Sequence, residues 1–540
     1  MKYELNAQQR SAVKARNKKI LCLAGAGTGK TRTMIERIVS LVDKGVNPSE
    51  ILALTFTNAA AFEMKARYKE YKPDGEIPEF RTFHSFCYNL LSSNRAILEK
   101  LGYKSMPSIA EDDETKRIRK QALAQLGIKV PTKKDPNEPL TALEKHNIDL
   151  LNKAQKRMMK QKNIITFDDL CSKVCQLFID NDPLIKEYQD KYKYIHVDEY
   201  QDTDQIQHDF VMSFANIGKY VFVVGDALQS IYSFRGAVPK IIKGLAEDPA
   251  WKTIRLEVNY RSTRNICEYA NRFSKRYASE TYRIPIVSDR EGEDVYERQQ
   301  TITYGYGNVD DKLISRIAAE CKVLKDESVA ILCRTNAECS TIKQHFTENQ
   351  IPFVTGKKDK EALHILKSAA DDVYMTDWLS TFLTSEKYSE YIRLSTIKES
   401  QGIPYAGSEF MKDFGMHKAI NERAEIIYCV RKISQENRSL YDRSKDICTL
   451  VGYPKLNVDM SGVTKLSVFL QRIREEVEKA QEDSAEIYIG TIHSVKGLEY
   501  DTVYVLGVDG PSFKLVTEED KNVFYVAATR AKNRLIVYKC

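Results

Sequence analysis

Two short segments carry residue types and spacing suited to chemistry on a nucleoside triphosphate. The first is AGAGTGKT, Ala24 to Thr31, and the second is YIHVDEYQD, Tyr194 to Asp202. Lys19 to Ala24 (KILCLA) reads as a short buried strand, and Thr31, Met34, Ile35, Ile38 and Val39 then recur at helical spacing. Strand, glycine-rich turn and helix is the setting that a phosphate-binding loop requires. Along Ala24, Gly25, Ala26, Gly27, Thr28 and Gly29 the glycines let successive backbone N–H groups converge on phosphate oxygens. The helix N-terminus adds partial positive charge. Lys30 would reach the β- and γ-phosphates, and the Thr31 hydroxyl would ligate Mg²⁺. Ala24 stands where the strict pattern asks for glycine.

In the second segment, Tyr194, Ile195 and Val197 form the apolar run of a central parallel strand. Asp198 and Glu199 follow at its C-terminal end, the edge of such a sheet where ligands bind. Asp198 is expected to hold Mg²⁺, and Glu199 to take the proton from an attacking water. A solvated acidic turn is the competing reading of these two acids alone. Paired with the upstream loop, they point to hydrolysis of a nucleoside triphosphate.

Further segments follow from end to end: LNAQQ (Leu5 to Gln9), ILALTFTNAAAFEMKAR (Ile51 to Arg67), TFHSF (Thr82 to Phe86) and ITFDDL (Ile165 to Leu170). Then come VGDALQSIYSFRGA (Val224 to Ala237), LEVNYRSTRNI (Leu256 to Ile266), VAILCRTNAEC (Val329 to Cys339), GTIHSVKGLEYDTV (Gly490 to Val503) and YVAATRAKNRL (Tyr525 to Leu535). In this order the chain resembles the UvrD/Rep/PcrA-type DNA helicases, superfamily-one motors that move 3′ to 5′ on single-stranded DNA. The resemblance implies ATP and Mg²⁺ as cofactors and assigns roles by position. Gln9 would read the adenine edge, and Arg32 and Tyr260 would sandwich its ring. Gln229 would sense the γ-phosphate or the attacking water, Arg261 and Arg530 would reach the γ-phosphate from the second lobe, and Glu499 would lie by the sugar. An arginine so placed is worth about 10³–10⁵ in rate. The implied DNA track is Phe56, Phe83, His84, Tyr232, Phe234, Arg235 and His493, whose aromatics would stack on bases without reading sequence. Core packing under the loops is the competing reading for these aromatics, most strongly for Phe83. Phe234 stands where many relatives carry tryptophan.

The strand-like runs fall in two sets, 19–24, 51–55, 194–198, 220–225 and 252–257, then 328–333, 351–354, 486–490, 501–506 and 534–538. They read as an α/β fold of two lobes with parallel sheets, which the resemblance makes two RecA-like P-loop lobes, each interrupted by a mainly helical insertion. The first lobe is expected over 1–90 and 165–260, with an insertion at 91–164. The second is expected over 261–370 and 484–540, with a shortened insertion at 371–483. Lys153, Lys156, Arg157 and Lys160 recur at helical spacing in the first insertion, as a solvated face or, less strongly, a DNA-backbone face. The aromatic motif that the family places after IPFVTG is replaced by KKDKEALHIL, and the chain ends at its last strand. These departures bear on unwinding and accessory contacts, not on the ATPase.

At 540 residues, 42% hydrophobic, the chain is long enough for three or four domains. Its net charge of +7 permits nucleic-acid binding without requiring it. The 11 cysteines show no zinc-finger or iron–sulfur spacing, which reads as reduced packing cysteines of a cytoplasmic protein. The N-terminus has no signal-peptide core, and no apolar stretch approaches the roughly 20 residues of a membrane span. Single-stranded DNA and single-strand/duplex junctions are the expected partners. The compact layout is also similar to the helicase-type subunit of the Gabija anti-phage system. That likeness implies a second reading, a DNA-sensing regulatory ATPase beside a partner nuclease, with little unwinding of its own. A translocase that strips proteins from single strands is a third.

Overall fold

The all-apolar runs of the first half become the centre of a parallel sheet. In the computed structural model, which describes residues 4–110, 112–128, 141–300, 309–324, 327–354, 439–450, 458–460, 469–476 and 487–540, these strands are β1 (Lys19–Ala24), β2 (Ile51–Thr55), β3 (Glu79–Thr82), β4 (Ser108–Ile109), β5 (Ile164–Ile165), β6 (Tyr194–Val197), β7 (Tyr220–Gly225) and β8 (Lys252–Leu256). Six of them pair in the order β3-β2-β6-β7-β1-β8, every neighbour parallel. Side chains alternate across the pleat. Leu21, Leu23, Leu52, Leu54, Val221 and Val223 therefore enter one core with Phe86, Phe178, Phe210 and Phe214. Ile20, Cys22, Ile51, Ala53, Phe222 and Val224 enter the opposite core with Ile38, Met64 and Tyr68. Both faces are covered, as a parallel sheet requires. Only β7 separates β1 from β6, so the glycine-rich loop and Asp198 leave the sheet at one edge.

Compactness divides the chain into Met1–Val295 with Leu515–Asn533, and Tyr296–Lys514 with Arg534–Cys540. The first unit thus runs past the lobe boundary read at residue 260. The reason is packing: the helix Arg264–Ser274 meets the helix Glu518–Ala528 through Phe273 and Phe524, ring centroids 4.7 Å apart. Asn522 of the latter helix donates to the carbonyls of Ala227 at 3.3 Å and Ser230 at 3.1 Å.

The region 91–164 is mainly helical where described. Helices Asp112–Leu126 and Ala142–Gln161 pack through Ile118 and Met159, with Ile164 of β5 in the same cluster. The two-residue strands β4 and β5, which pair in parallel, flank this helix pair in the chain. Of the four basic residues singled out on the second helix, Lys153 pairs with Asp149 at 2.7 Å and Lys156 with Asp169 at 2.8 Å.

The second unit holds β9 (Tyr296–Gln299), β10 (Val329–Cys333), β11 (Ile487–Thr491), β12 (Tyr500–Val508) and most of β13 (Ala531–Lys539). Their order is β11-β10-β12-β13-β9, with β10 parallel to β11 and β12, and β13 parallel to β9. Ile331, Cys333, Ile489 and Leu506 pack there on Ile314, Ile317 and Phe346. The run at 351–354 makes no full strand; Val354 forms a single parallel bridge to Tyr488. Most of the insertion expected at 371–483, and the KKDKEALHIL stretch, lie outside the described residues. Among the described residues no helix is long and apolar enough to cross a membrane.

Candidate functional site

The glycine-rich loop is built from its backbone. Thr28 Oγ1 donates to the Gly25 carbonyl at 2.8 Å, and the Gly25 amide donates to Leu256 at the end of β8 at 3.2 Å. Gly29, at φ 79°, precedes the helix Lys30–Asp43 without a side-chain cap, which leaves the first amides of that helix to a ligand. Gly27, at φ 69°, is confined as well: a Cβ there would stand 2.7 Å from Asn259 Nδ2. Lys30 Nζ lies over the loop, 3.3 Å from the Ala24 carbonyl and 3.5 Å from that of Gly25.

Asp198 extends from β6 to this loop, and Thr31 Oγ1 donates to its Oδ2 at 2.7 Å. Both groups offer oxygen, the donor that Mg²⁺ prefers, so the pair fits that ion. Burial, and then the charge of Glu199, push the Asp198 carboxyl up to about 7, against the opposing pull of Thr31, the Glu199 amide and Lys30. Glu199 itself sits at φ 49°, a left-handed conformation that is uncommon outside glycine and tends to gather at functional sites. Gln201 Nε2 donates to Glu199 Oε2 at 2.5 Å, while Gln201 Oε1 accepts from the Asp226 amide at 2.9 Å. Asp226 Oδ2 accepts from Gln229 Nε2 at 2.7 Å. Glu199 and Gln229 are thus joined through Gln201 and Asp226. Burial raises the Asp226 carboxyl, offset by Lys30, Gln229 and the Leu228 amide.

Gln9 is 2% exposed and donates to the Thr28 carbonyl at 3.1 Å, having been oriented by the cap it makes with Asn6. Tyr260 is 51% exposed, its hydroxyl accepting from Asn6 Nδ2 at 2.8 Å, and Arg32 pairs with Glu36 at 3.9 Å. Arg261 donates to the Thr529 carbonyl at 3.2 Å. Arg530 is 1% exposed, with Nε donating to the Val526 carbonyl at 3.0 Å. Both arginines lie in the compact unit that contains the loop, not in a separate one as the resemblance implies, because the helix Glu518–Ala528 packs on that unit. Glu499, exposed, and His493, half-buried in the turn Ile492–Val495, belong to the second unit.

Three residues missed by the sequence reading hold this site: Gln201, Asp226 and Asn259. Asn259 Nδ2 donates to the Ala26 carbonyl at 2.7 Å, and its Oδ1 accepts from the amides of Arg261 at 2.8 Å and Ser262 at 2.7 Å. It ties the loop to the segment that carries Tyr260 and Arg261. Each of the three lies inside or directly beside a segment already singled out, which was the available signal.

The aromatic set divides. Phe56 stacks on Tyr232 with centroids 5.5 Å apart and planes at 13°, and Tyr232 meets Phe234 at 6.0 Å. Phe234 is 66% exposed. Phe83 is instead 4% exposed, its ring edge-on to Phe210 in the core, because Thr82 caps a helix that begins at Phe83. His84 Nε2 lies 3.1 Å from Asp168, which raises its pKa. Arg235 ends the turn Ser233–Arg235, and its side chain lies outside the described residues.

Comparison with known proteins identifies the family. A family model described as the UvrD/REP helicase N-terminal domain matches residues 5–250. One described as the UvrD-like helicase C-terminal domain matches residues 254–361 and 356–540. The ATP-dependent DNA helicase PcrA of Staphylococcus epidermidis is 28% identical over 606 residues, covering 99% of this chain and 83% of the relative. The PcrA of Staphylococcus aureus is 26% identical over 609 residues, with the same coverage. With the C-terminal family model alone matching more than half of its length, the chain belongs to the UvrD-like helicase family.

Proposed function

We propose that this protein is an ATP-dependent DNA helicase that moves 3′ to 5′ on single-stranded DNA and separates duplex ahead of it. The reading rests most on one run of residues. Gln229, bonded to Asp226, stands three residues before Tyr232 and five before Phe234. A group that senses the nucleotide and aromatics that can grip a base therefore share one short backbone segment. A shift at Gln229 during hydrolysis is delivered directly to the aromatic stack.

In the chemical step, loop amides and Lys30 neutralise the β- and γ-phosphates. Thr31 and Asp198 would hold Mg²⁺, and the ion would supply positive charge to offset that developing on the phosphate oxygens. Glu199, oriented by Gln201, accepts the proton of the attacking water, and Gln229 positions that water. Arg261 and Arg530 add positive charge at the transferring phosphoryl group. Movement then follows from alternating grip, as binding and release of ATP change the aromatic contacts with the strand.

The test is ATP-driven strand separation by the purified chain on a duplex with a 3′ single-stranded tail, beside one with a 5′ tail. Separation of the 3′-tailed duplex alone is expected. Separation of the 5′-tailed duplex alone overturns the direction. ATPase stimulated by single-stranded DNA with neither duplex separated overturns unwinding and favours a DNA-sensing subunit that works beside a nuclease.

A further inference from the structure

Two helices of the first unit bring three thiols together away from the nucleotide loop. Cys87 lies on the helix Phe83–Ser93, and Cys171 and Cys175 lie four residues apart on one face of the helix Phe167–Ile179. All three are buried. Their Sγ atoms form a closed triangle with edges of 3.6, 3.8 and 3.9 Å. We propose that Cys87, Cys171 and Cys175 bind one thiophilic metal ion, zinc foremost, in a three-thiolate site within the first unit.

The distances carry the argument. Zinc holds thiolates at about 2.3 Å in a tetrahedral arrangement, which spaces their sulfurs about 3.8 Å apart. The observed triangle has that size with no rearrangement of either helix. Thiols packed as small apolar groups also touch near these distances. Closure of the triangle, in which each sulfur lies against both others, is what would let three donors share one ion. Three sulfur donors select zinc or Cu(I) over Mg²⁺, so the site is chemically distinct from the oxygen pair at Thr31 and Asp198. The common iron–sulfur clusters take four cysteine ligands, one more than this group offers.

A histidine–carboxylate pair lies on the same two helices. His84 lies one turn before Cys87, and Asp168 one turn before Cys171. The two are bonded through His84 Nε2 at 3.1 Å, the carboxylate–histidine arrangement that metal-ligating histidines use. The fourth position of a tetrahedral ion would be left to water or an added ligand. A bound ion would fasten the helix of the TFHSF segment to that of the ITFDDL segment. Cys87 and Cys171 are 84 residues apart in the chain, so this would be a long-range cross-link.

Cobalt titration tests the site on the full chain, purified reduced and metal-free. Co²⁺ should bind with a thiolate-to-cobalt charge-transfer band that saturates at about one equivalent, and Zn²⁺ should abolish the band. Cobalt held by oxygen ligands at Asp198 gives no such band. Cys171→Ser and Cys87→Ser should lose it, and Cys540→Ser should keep it. Zn²⁺ should also raise the Tm of the wild-type protein and leave that of Cys171→Ser unmoved. Folded wild-type protein with no band overturns the proposal and leaves the three thiols as packing groups, as does a band that survives in folded Cys171→Ser. The wild-type result decides the question even if a variant fails to fold.

Discussion

Asp198 illustrates at a single residue how a catalytic site strains the fold that carries it. Its carboxyl is buried beside Glu199 and pushed up to about 7. The folded pKa is raised above the unfolded one, so the metal-free native state holds the extra proton between about pH 4 and about pH 7. Stability from this group is present below that window and is lost as pH rises through about 7. A divalent cation at Thr31 and Asp198 reverses the preference, because it favours the carboxylate. Asp198→Asn separates the two effects. Without metal, the variant should melt several degrees above wild type near pH 8, with the gap narrowing as pH falls below about 7 and closing near pH 4. Its ATPase should fall by about 100-fold or more, since the oxygen ligand to Mg²⁺ is gone. Melting curves in a chelating buffer across this range check the first part. A Tm offset that stays constant with pH would remove titration of Asp198 as its cause.

The elements that hold the site reach it through contacts distant in sequence, and Asn259 is the clearest case. It is 2% exposed and bonds to the Ala26 carbonyl 233 residues away. Asn259→Ala would leave buried backbone groups of Ala26, Arg261 and Ser262 without that partner, at about 1–3 kcal/mol for each group that water does not reach. A lower Tm is expected, and a several-fold higher KM for ATP as the loop loses its brace. Unchanged Tm and KM would show the tether to be dispensable. Contacts of this kind were not legible in the sequence, because Asn259, Gln201 and Asp226 act on backbone groups that only the fold brings near. The P-loop and Asp198 were legible because local spacing encodes their setting. Strands divide on the same ground. β1, β2 and β7 are buried on both faces and read as apolar runs. EFRT in β3 and YERQ in β9 are edge strands whose charges pair outward, Arg81 with Glu79 and Arg298 with Glu320, and they carry no apolar signal. The three-cysteine cluster was hidden likewise, since Cys87 comes from far upstream of Cys171 and Cys175.

Across the whole molecule, a motor needs ATP turnover and DNA grip to depend on each other, and the first unit contains the residues proposed for both. Glu199, Gln201, Asp226 and Gln229 form one bonded chain, and the backbone continues from Gln229 into Tyr232 and Phe234. Phe234 is the exposed end of the stack, so removing its ring takes little from the core. A base stacked on an aromatic is worth roughly 1–3 kcal/mol, which corresponds to roughly a 5- to 150-fold change in affinity. Phe234→Ala should therefore raise the single-stranded DNA concentration for half-maximal ATPase stimulation by about tenfold, and slow unwinding with it. Turnover without DNA should change much less, and the Tm should hold, because the ring supports neither the phosphate loop nor the sheet. Steady-state ATPase measured against DNA concentration separates the two quantities. Equal loss of DNA-free and DNA-stimulated turnover would mean that Phe234 braces the Gln229 turn. The nucleotide site and the DNA track would then share a structural support, and the grip on the base would have to come from Phe56 and Tyr232.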